Sequence, residues 1–180
     1  MKSIIKNVRI IIGKYFYKRK VSKLRRNIKG INLQQIQTAG IVFEASNAEN
    51  LKHIKELRKH LPDEASVIVV GYIDGDRKNY SYIGDKVYNY ISEDDFDFFM
   101  RPKPEIKDFI KRKFDVLFVL ANKYSFPIEY ISGLSKSYFK VGHSGFYENN
   151  LDFYIDTKIK DLDYIILQIT NYMKEIKPNL

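Results

Sequence analysis

The first 30 residues of the chain contain no aspartate and no glutamate, although they hold 11 of its 31 lysines and arginines. Subtraction leaves 20 basic and 22 acidic residues in the remainder of the 180-residue chain, which is therefore close to neutral. A segment with many positive charges and no negative one suits a polyanion, meaning RNA, DNA or an anionic membrane surface. The charge pattern thus predicts a role for the N-terminal segment that the rest of the chain does not share.

The chain also lacks cysteine, which excludes disulfides, thiolate metal sites and a cysteine nucleophile. Its longest apolar run near the start, Ile10 to Ile12, has three residues. A membrane span needs about 20 apolar residues, and the core of a signal peptide needs roughly 7–15. We therefore expect a cytoplasmic protein.

Motifs of enzymes and cofactor sites are missing as well. The sequence contains no GxGxxG, no GxxxxGK[ST] and no GxSxG. The carboxylates of Asp94, Asp95 and Asp97 are close together, but their spacing does not fit a calcium loop and suits a capped helix start better. We predict no catalytic residue, no metal and no cofactor. We also favour the interpretation that the protein is not an enzyme.

Residues 1–30 are predicted to form a basic helical tail. Apolar residues recur at steps of three and four in two stripes: Ile5, Val8, Ile12 and Tyr15 or Phe16 in the first, and Val21, Leu24 and Ile28 in the second. Gly13 is a weak point between them, and Gly30 is the expected end of the helix. Residues 31–38 are expected to be a linker, and residues 39–180 an α/β domain that folds without the tail.

In that domain, apolar runs alternate with helical patterns. Strands are predicted at 40–45, 66–73, 114–121, 138–142 and 151–155, and helices at 46–61, 104–112, 127–134 and 158–175. A hairpin is predicted within 80–91. Strands joined through helices favour an open, mostly parallel, Rossmann-like sheet of about five strands with helices on both faces. Ser46 is the expected N-cap of the first of these helices.

Several segments resemble a family of uncharacterised bacterial proteins of the Bacteroidetes type, designated a domain of unknown function. They are AGIVFEAS at 39–46, VGYID at 70–74 and FDVLFVLANKYSFPIEYISGLSKSYFKVG at 114–142. The resemblance implies an α/β fold with a basic start, and no activity. In its order of strands and helix the chain is also weakly similar to the N-terminal half of heptosyltransferase-type glycosyltransferases. This second likeness concerns topology.

The tail is the main candidate for a binding function. The residues predicted to contact nucleic acid are Lys14, Lys18, Arg19, Lys20, Lys23, Arg25, Arg26 and Lys29, which surround most of the second half of the tail. We favour RNA, or a ribonucleoprotein such as the ribosome, because lysine and arginine release counterions from phosphates. A peripheral membrane surface is the alternative, since the first half has a cleaner apolar face. A third interpretation is that the tail only packs on its own domain.

A ligand crevice is a further hypothesis. Two adjacent predicted strands end in small and polar residues, and ligands of open α/β sheets bind at such carboxyl ends. The candidate residues are Asn122, Lys123, Ser125, Gly142, His143 and Ser144. The alternative is a flexible loop in which Gly142 and Gly145 permit positive φ.

Overall fold

The computed structural model of the protein describes residues 2–75, 86–159 and 161–177. The strands are β1 (Thr38–Glu44), β2 (Ser66–Tyr72), β3 (Tyr88–Ile91), β4 (Val116–Leu120), β5 (Phe139–His143) and β6 (Phe153–Ile155). The helices are α1 (Lys2–Val21), α2 (Ala48–His60), α3 (Pro104–Lys111), α4 (Phe126–Leu134) and α5 (Leu162–Glu175).

All six strands join one sheet in the order β3-β2-β1-β4-β5-β6. Every neighbouring pair is parallel, and Ile41 of β1 lies between Val69 of β2 and Phe118 of β4. Fully parallel sheets are covered on both faces, so their central strands are continuously apolar. The five buried residues of β4 follow this rule. The predicted Rossmann-like α/β class is confirmed.

Alternate residues of β1, β2 and β4 contribute to two separate cores. On one face, Ile41 and Phe118 pack with α2 and α5. On the other face, Val42 and Leu117 pack with α3, α4 and Tyr17 of α1. The N-terminal helix therefore belongs to the same layer as α3 and α4, and α2 and α5 form the opposite layer.

Local sequence signals explain several helix boundaries. Pro104 begins α3, where its missing amide proton costs nothing. Ser92 and Asp95 form a reciprocal capping box around a short 3-10 turn. This turn lies where the sequence predicts a capped helix start. The N-cap of α2 is Asn47 and not Ser46, because the Asn47 side chain accepts from the Glu49 amide. Ser46 instead accepts a hydrogen bond from the Asp74 amide.

Two expectations need correction. The tail helix is continuous through Gly13 and ends at Val21, so Gly30 does not terminate it. The predicted second arm of a hairpin is β3, which pairs parallel to β2 and adds a sixth strand. Residues 80–85 of the predicted hairpin lie outside the described residues.

Candidate functional site

Helix α1 lies on the domain through a face that its apolar periodicity did not indicate. Tyr17 is buried, with 6% of its surface exposed, and its hydroxyl donates to Asn150 Oδ1 at 3.0 Å. Burial raises the pKa of this phenol to about 12. Gly13 permits the close approach, because a Cβ there would stand 2.6 Å from Met100 Cβ. Part of the tail therefore packs on its own domain.

Further polar contacts hold the tail segment along its length. Near the N-terminus, Lys6 pairs with Glu93 at 2.6 Å, and the hydrogen bond to this carboxylate raises the Lys6 pKa. Arg9 donates to the carbonyl oxygen of Asp97 at 3.2 Å. Beyond the helix, Arg26 pairs with Asp152 at 2.6 Å and donates to the Ser137 carbonyl oxygen. Both side chains of the Arg26 pair are about nine-tenths buried, so this arginine has a structural partner.

Most of the first apolar stripe that the sequence identified faces outward, whereas its member Ile12 is half-buried. Ile5 is 53% exposed, Val8 43% and Tyr15 65%. Ile11 lies beside them and is 68% exposed. Neighbouring exposed apolar side chains of this kind mark a candidate binding surface.

The C-terminal half of α1 forms one wall of a groove of about 690 Å³, and α3 and the end of α4 form the rest. Six basic residues line it: Arg19, Lys20 and Lys23 from the tail, and Lys107, Lys111 and Lys136 from the domain. Its apolar lining includes Phe16, Pro102 and Leu134, and none of the described acidic residues lines it. We call this the basic groove.

Helical spacing separates the charges of α3 into two faces. Lys107 and Lys111 are four residues apart, so they share the face that lines the basic groove. Glu105 and Asp108 line a different groove of about 430 Å³, which also contains Asp95. The acidic residues of α3 are therefore kept away from the basic groove, although Asp108 remains 3.9 Å from Lys111 Nζ.

The other predicted nucleic-acid residues are distributed over several surfaces. Lys14 lies over the ring of Tyr124 at 4.7 Å, and Lys29 lies over the ring of Tyr138 at 5.6 Å. Arg25 donates to nearby main-chain carbonyl oxygens, and Lys18 is exposed. In the basic groove, Lys20 Nζ donates to the Tyr130 hydroxyl at 2.8 Å. The structure thus brings Arg19, Lys20 and Lys23 together with three domain lysines that the sequence did not single out.

The residues of the predicted crevice lie at or just after the carboxyl ends of β4 and β5, which are neighbours, as expected. His143 is buried, and its Nδ1 lies 2.8 Å from the Ser144 carbonyl oxygen. Its ring also hydrogen-bonds to the main chain of Ala121, and burial lowers its pKa. Ser144 Oγ donates to the Thr157 carbonyl oxygen at 3.2 Å. A Cβ at Gly142 would approach the Val119 carbonyl oxygen to 2.7 Å, so glycine is needed for strand packing there.

The remaining crevice residues lie in the loop after β4. Lys123 has an 80% exposed side chain and stands 3.9 Å from Glu44, which ends β1. The Ser125 amide donates to the Tyr147 hydroxyl, which donates in turn to the Lys123 carbonyl oxygen. Asn122 is partly buried. These main-chain contacts fix the loop between β4 and α4, and His143 is held in the same way.

A buried lysine escaped the sequence analysis. Lys140 is 1% exposed, and its Nζ donates to the carbonyl oxygens of Ser132 and Gly133 at the end of α4. Burial, with a contribution from nearby Arg26, lowers its pKa to about 7. A lysine within a strand is ordinarily expected to point to solvent. The burial of Lys140 becomes evident only in the folded chain, where β5 places this residue under α4.

Comparison with known protein families gives one match, and it extends over residues 9–176. The chain belongs to the family of unknown function DUF6913. No curated protein and no solved structure matches the chain. DUF6913 membership agrees with the predicted resemblance to an uncharacterised domain. The Bacteroidetes-type origin and the likeness to glycosyltransferases stay predictions.

Two further features concern the described part of the chain. No helix there is long and apolar enough to cross a membrane. Within residues 2–75, 86–159 and 161–177, no three histidine, aspartate or glutamate side chains are grouped to hold a metal ion. In this member of DUF6913, the basic groove is the candidate functional site.

Proposed function

We propose that the protein binds RNA, with phosphates held in the basic groove. The observation that carries the proposal is the composition of the groove: six cationic side chains from two separate parts of the chain, and no acidic one. The domain after the tail has slightly more acidic than basic residues. A uniformly basic lining in that domain therefore reflects a specific arrangement and not the overall composition.

The free cations of the groove support this proposal. Arg19, Lys23 and Lys107 are exposed, and they have no ion pair with the residues that the structure describes. Each such side chain can neutralise a phosphate and release a counterion, which is the main source of affinity for nucleic acids. Packing of Tyr17 and pairing of Arg26 hold the tail in place without using these three side chains. Docking of the helix on the domain and binding of a polyanion are thus compatible.

RNA is preferred to a flat anionic surface because the cations border a concave groove. Side chains on opposite walls converge on a ligand that lies between them, as a nucleic-acid strand does. The natural partner would be the ribosome or another ribonucleoprotein, in which RNA phosphates are densely exposed. The residues of the predicted crevice, such as Asn122 and His143, have no part in this proposal.

A membrane surface is a second candidate function. The exposed face of α1, with Ile5, Val8 and Ile11, favours it, since interfacial helices present an apolar face next to basic residues. Binding of this kind would depend on those aliphatic side chains. It would persist at high salt to the extent that it is hydrophobic.

The test is recovery of RNA from cell lysate by the full-length protein. A groove variant carries Arg19→Gln, Lys23→Gln and Lys107→Gln. A control variant carries Lys52→Gln, Lys55→Gln and Lys174→Gln, which are exposed on α2 and α5 in the opposite layer and remove the same charge. We expect the wild type and the control variant to recover RNA, and the groove variant to lose this recovery. Treatment with nuclease should abolish the recovered RNA. Equal recovery by the two variants would contradict the proposal.

A further inference from the structure

Four exposed aromatic side chains form a continuous row beside the basic groove. They are Tyr15 and Phe16 of α1, and Phe98 and Phe99 of the segment before α3, with exposed fractions of 65%, 38%, 51% and 42%. Phe16 lines the groove and also packs edge-to-face on Phe99, with 6.3 Å between the ring centres. We call these four residues the aromatic row.

The rings of the aromatic row contact one another in sequence. Tyr15 meets Phe16 with 5.5 Å between ring centres, and Phe98 meets Phe99 at 5.6 Å. The Arg101 guanidinium lies over the Phe99 ring at 5.1 Å. Asp97 next to it is paired with Arg101 at 2.6 Å, so its carboxylate is neutralised. The row is thus an apolar, π-rich surface that begins at the edge of a cationic groove.

We propose that the basic groove and the aromatic row together select single-stranded RNA. This inference rests on the proposed function, and it names the class of RNA. Proteins that bind single strands combine a cationic groove for the phosphates with aromatic side chains on which unpaired bases stack. Phe16 connects the two surfaces, so a strand that leaves the groove reaches the row with its bases free.

A duplex would not use both surfaces. Its bases are stacked inside, and it presents phosphates and sugars outward. The rings of Phe98 and Phe99 would then face a polar backbone and contribute nothing to affinity. The aromatic composition of the row therefore favours an unpaired strand. The exposed aliphatic side chains of Ile5, Val8 and Ile11 lie farther along the helix from the groove.

The experiment measures binding of the full-length protein to two RNA probes at one fixed salt concentration. One probe is a labelled oligouridylate, and the other is a labelled duplex of equal total charge. The row variant carries Phe98→Leu and Phe99→Leu, which keep apolar side chains but remove the π faces. The matched control is Tyr164→Leu, because Tyr164 is 38% exposed on α5 in the opposite layer.

We expect the wild type to bind the oligouridylate more tightly than the duplex. In the row variant, the affinity for the oligouridylate should fall at least about 5-fold, which corresponds to the lower limit of the free energy of stacking one base on an aromatic side chain. The salt dependence of binding should stay the same in the row variant, because its charges are unchanged. The Tyr164→Leu control should bind like the wild type. An unchanged melting temperature for all variants shows that an affinity loss does not come from unfolding.

Three outcomes would overturn the inference, and they are distinguishable. Equal affinity for duplex and oligouridylate, with no effect of the row variant, would refute strand selection and leave the proposed function standing. Failure to bind either probe would refute the proposed function as well. Binding of the protein to phosphatidylglycerol vesicles but to neither RNA probe, with no change in the row variant, would show that the exposed apolar side chains contact lipid and not RNA.

Discussion

The Tyr17 hydroxyl lies directly against Gly133 of α4, so that a Cβ at residue 133 would overlap the phenol oxygen. This contact positions the wall of the basic groove that α1 provides. Tyr17 also packs edge-to-face on Phe126, with 5.9 Å between the ring centres. The fit between one bulky and one absent side chain fixes how far α1 stands from the domain.

Replacing Gly133 with alanine should therefore displace α1. We expect Gly133→Ala to lower the free energy of unfolding by about 1–3 kcal/mol, the usual cost of overpacking. Denaturation in urea measures this change. Gly30→Ala is the matched control, because a Cβ there would meet Ile176 Cγ2 at an ordinary 3.4 Å. If the two alanine variants are equally stable, Tyr17 does not fix α1 as described.

Removal of the tail tests how far the domain stands alone. Residues 31–180 retain the whole sheet, so we expect them to stay soluble and to unfold cooperatively. Loss of Tyr17, which is buried against Phe126 and Tyr130, should make this fragment less stable by about 3–5 kcal/mol, as for a buried aromatic side chain. Thermal melting followed by circular dichroism measures both properties. Aggregation or a melt without a cooperative transition would contradict the prediction.

The buried amine of Lys140 should make stability depend on pH. Its pKa is about 7 in the folded protein, below the ordinary value of 10.5. Between these two values the unfolded chain binds more protons at this residue, so its contribution to stability rises with pH, by at most about 1.4 kcal/mol per pH unit. Below pH 7 the residue is protonated in both states, and the contribution is constant.

Urea denaturation between pH 7 and 10 compares the wild type with Lys140→Met. The rise in stability with pH should be smaller in the variant, because methionine has no proton to lose. Lys52→Met provides the control, since Lys52 is exposed on α2. Identical pH profiles for the wild type and Lys140→Met would contradict the burial of the charged amine.

A comparison of two residues of the β4 region tests the core. Leu117 is fully buried in this central strand, so Leu117→Ala should lower the free energy of unfolding by about 2–5 kcal/mol. Lys123 has an 80% exposed side chain with a long ion pair to Glu44, so Lys123→Ala should cost less than about 1 kcal/mol. Chemical denaturation measures both. A large loss for Lys123→Ala would mean that Glu44 depends on this lysine.

The strands of the sheet could be predicted because parallel strands buried on both faces are continuous apolar runs, as in β4. Strand β3 lacks such a run: its burial begins only at Tyr90, and it was assigned to a hairpin. The buried face of α1 could be predicted only in part, because it contains Gly13 and Tyr17 besides Val21 of the second stripe. Shape complementarity with α4, which sequence periodicity does not contain, decides that orientation.

The candidate site shows the same limit. The charge of the tail predicts a polyanion partner, and three of the tail cations, Arg19, Lys20 and Lys23, line the basic groove. It could not indicate Lys107 or Lys136, which come from segments more than 80 residues away and join the tail only in the folded chain. The basic face of α3 likewise lines a groove only because α1 lies beside it in the folded chain.

The salt dependence of RNA affinity tests the central claim most directly. If six cations contact phosphates of a single strand, the logarithm of the binding constant should fall with the logarithm of salt concentration with a slope of about −4. The groove variant, with Arg19→Gln, Lys23→Gln and Lys107→Gln, should reduce this slope to about −2, because three contacts are lost. The control variant, with Lys52→Gln, Lys55→Gln and Lys174→Gln, should keep the wild-type slope. Equal slopes for the groove and control variants would contradict binding of phosphates in the basic groove.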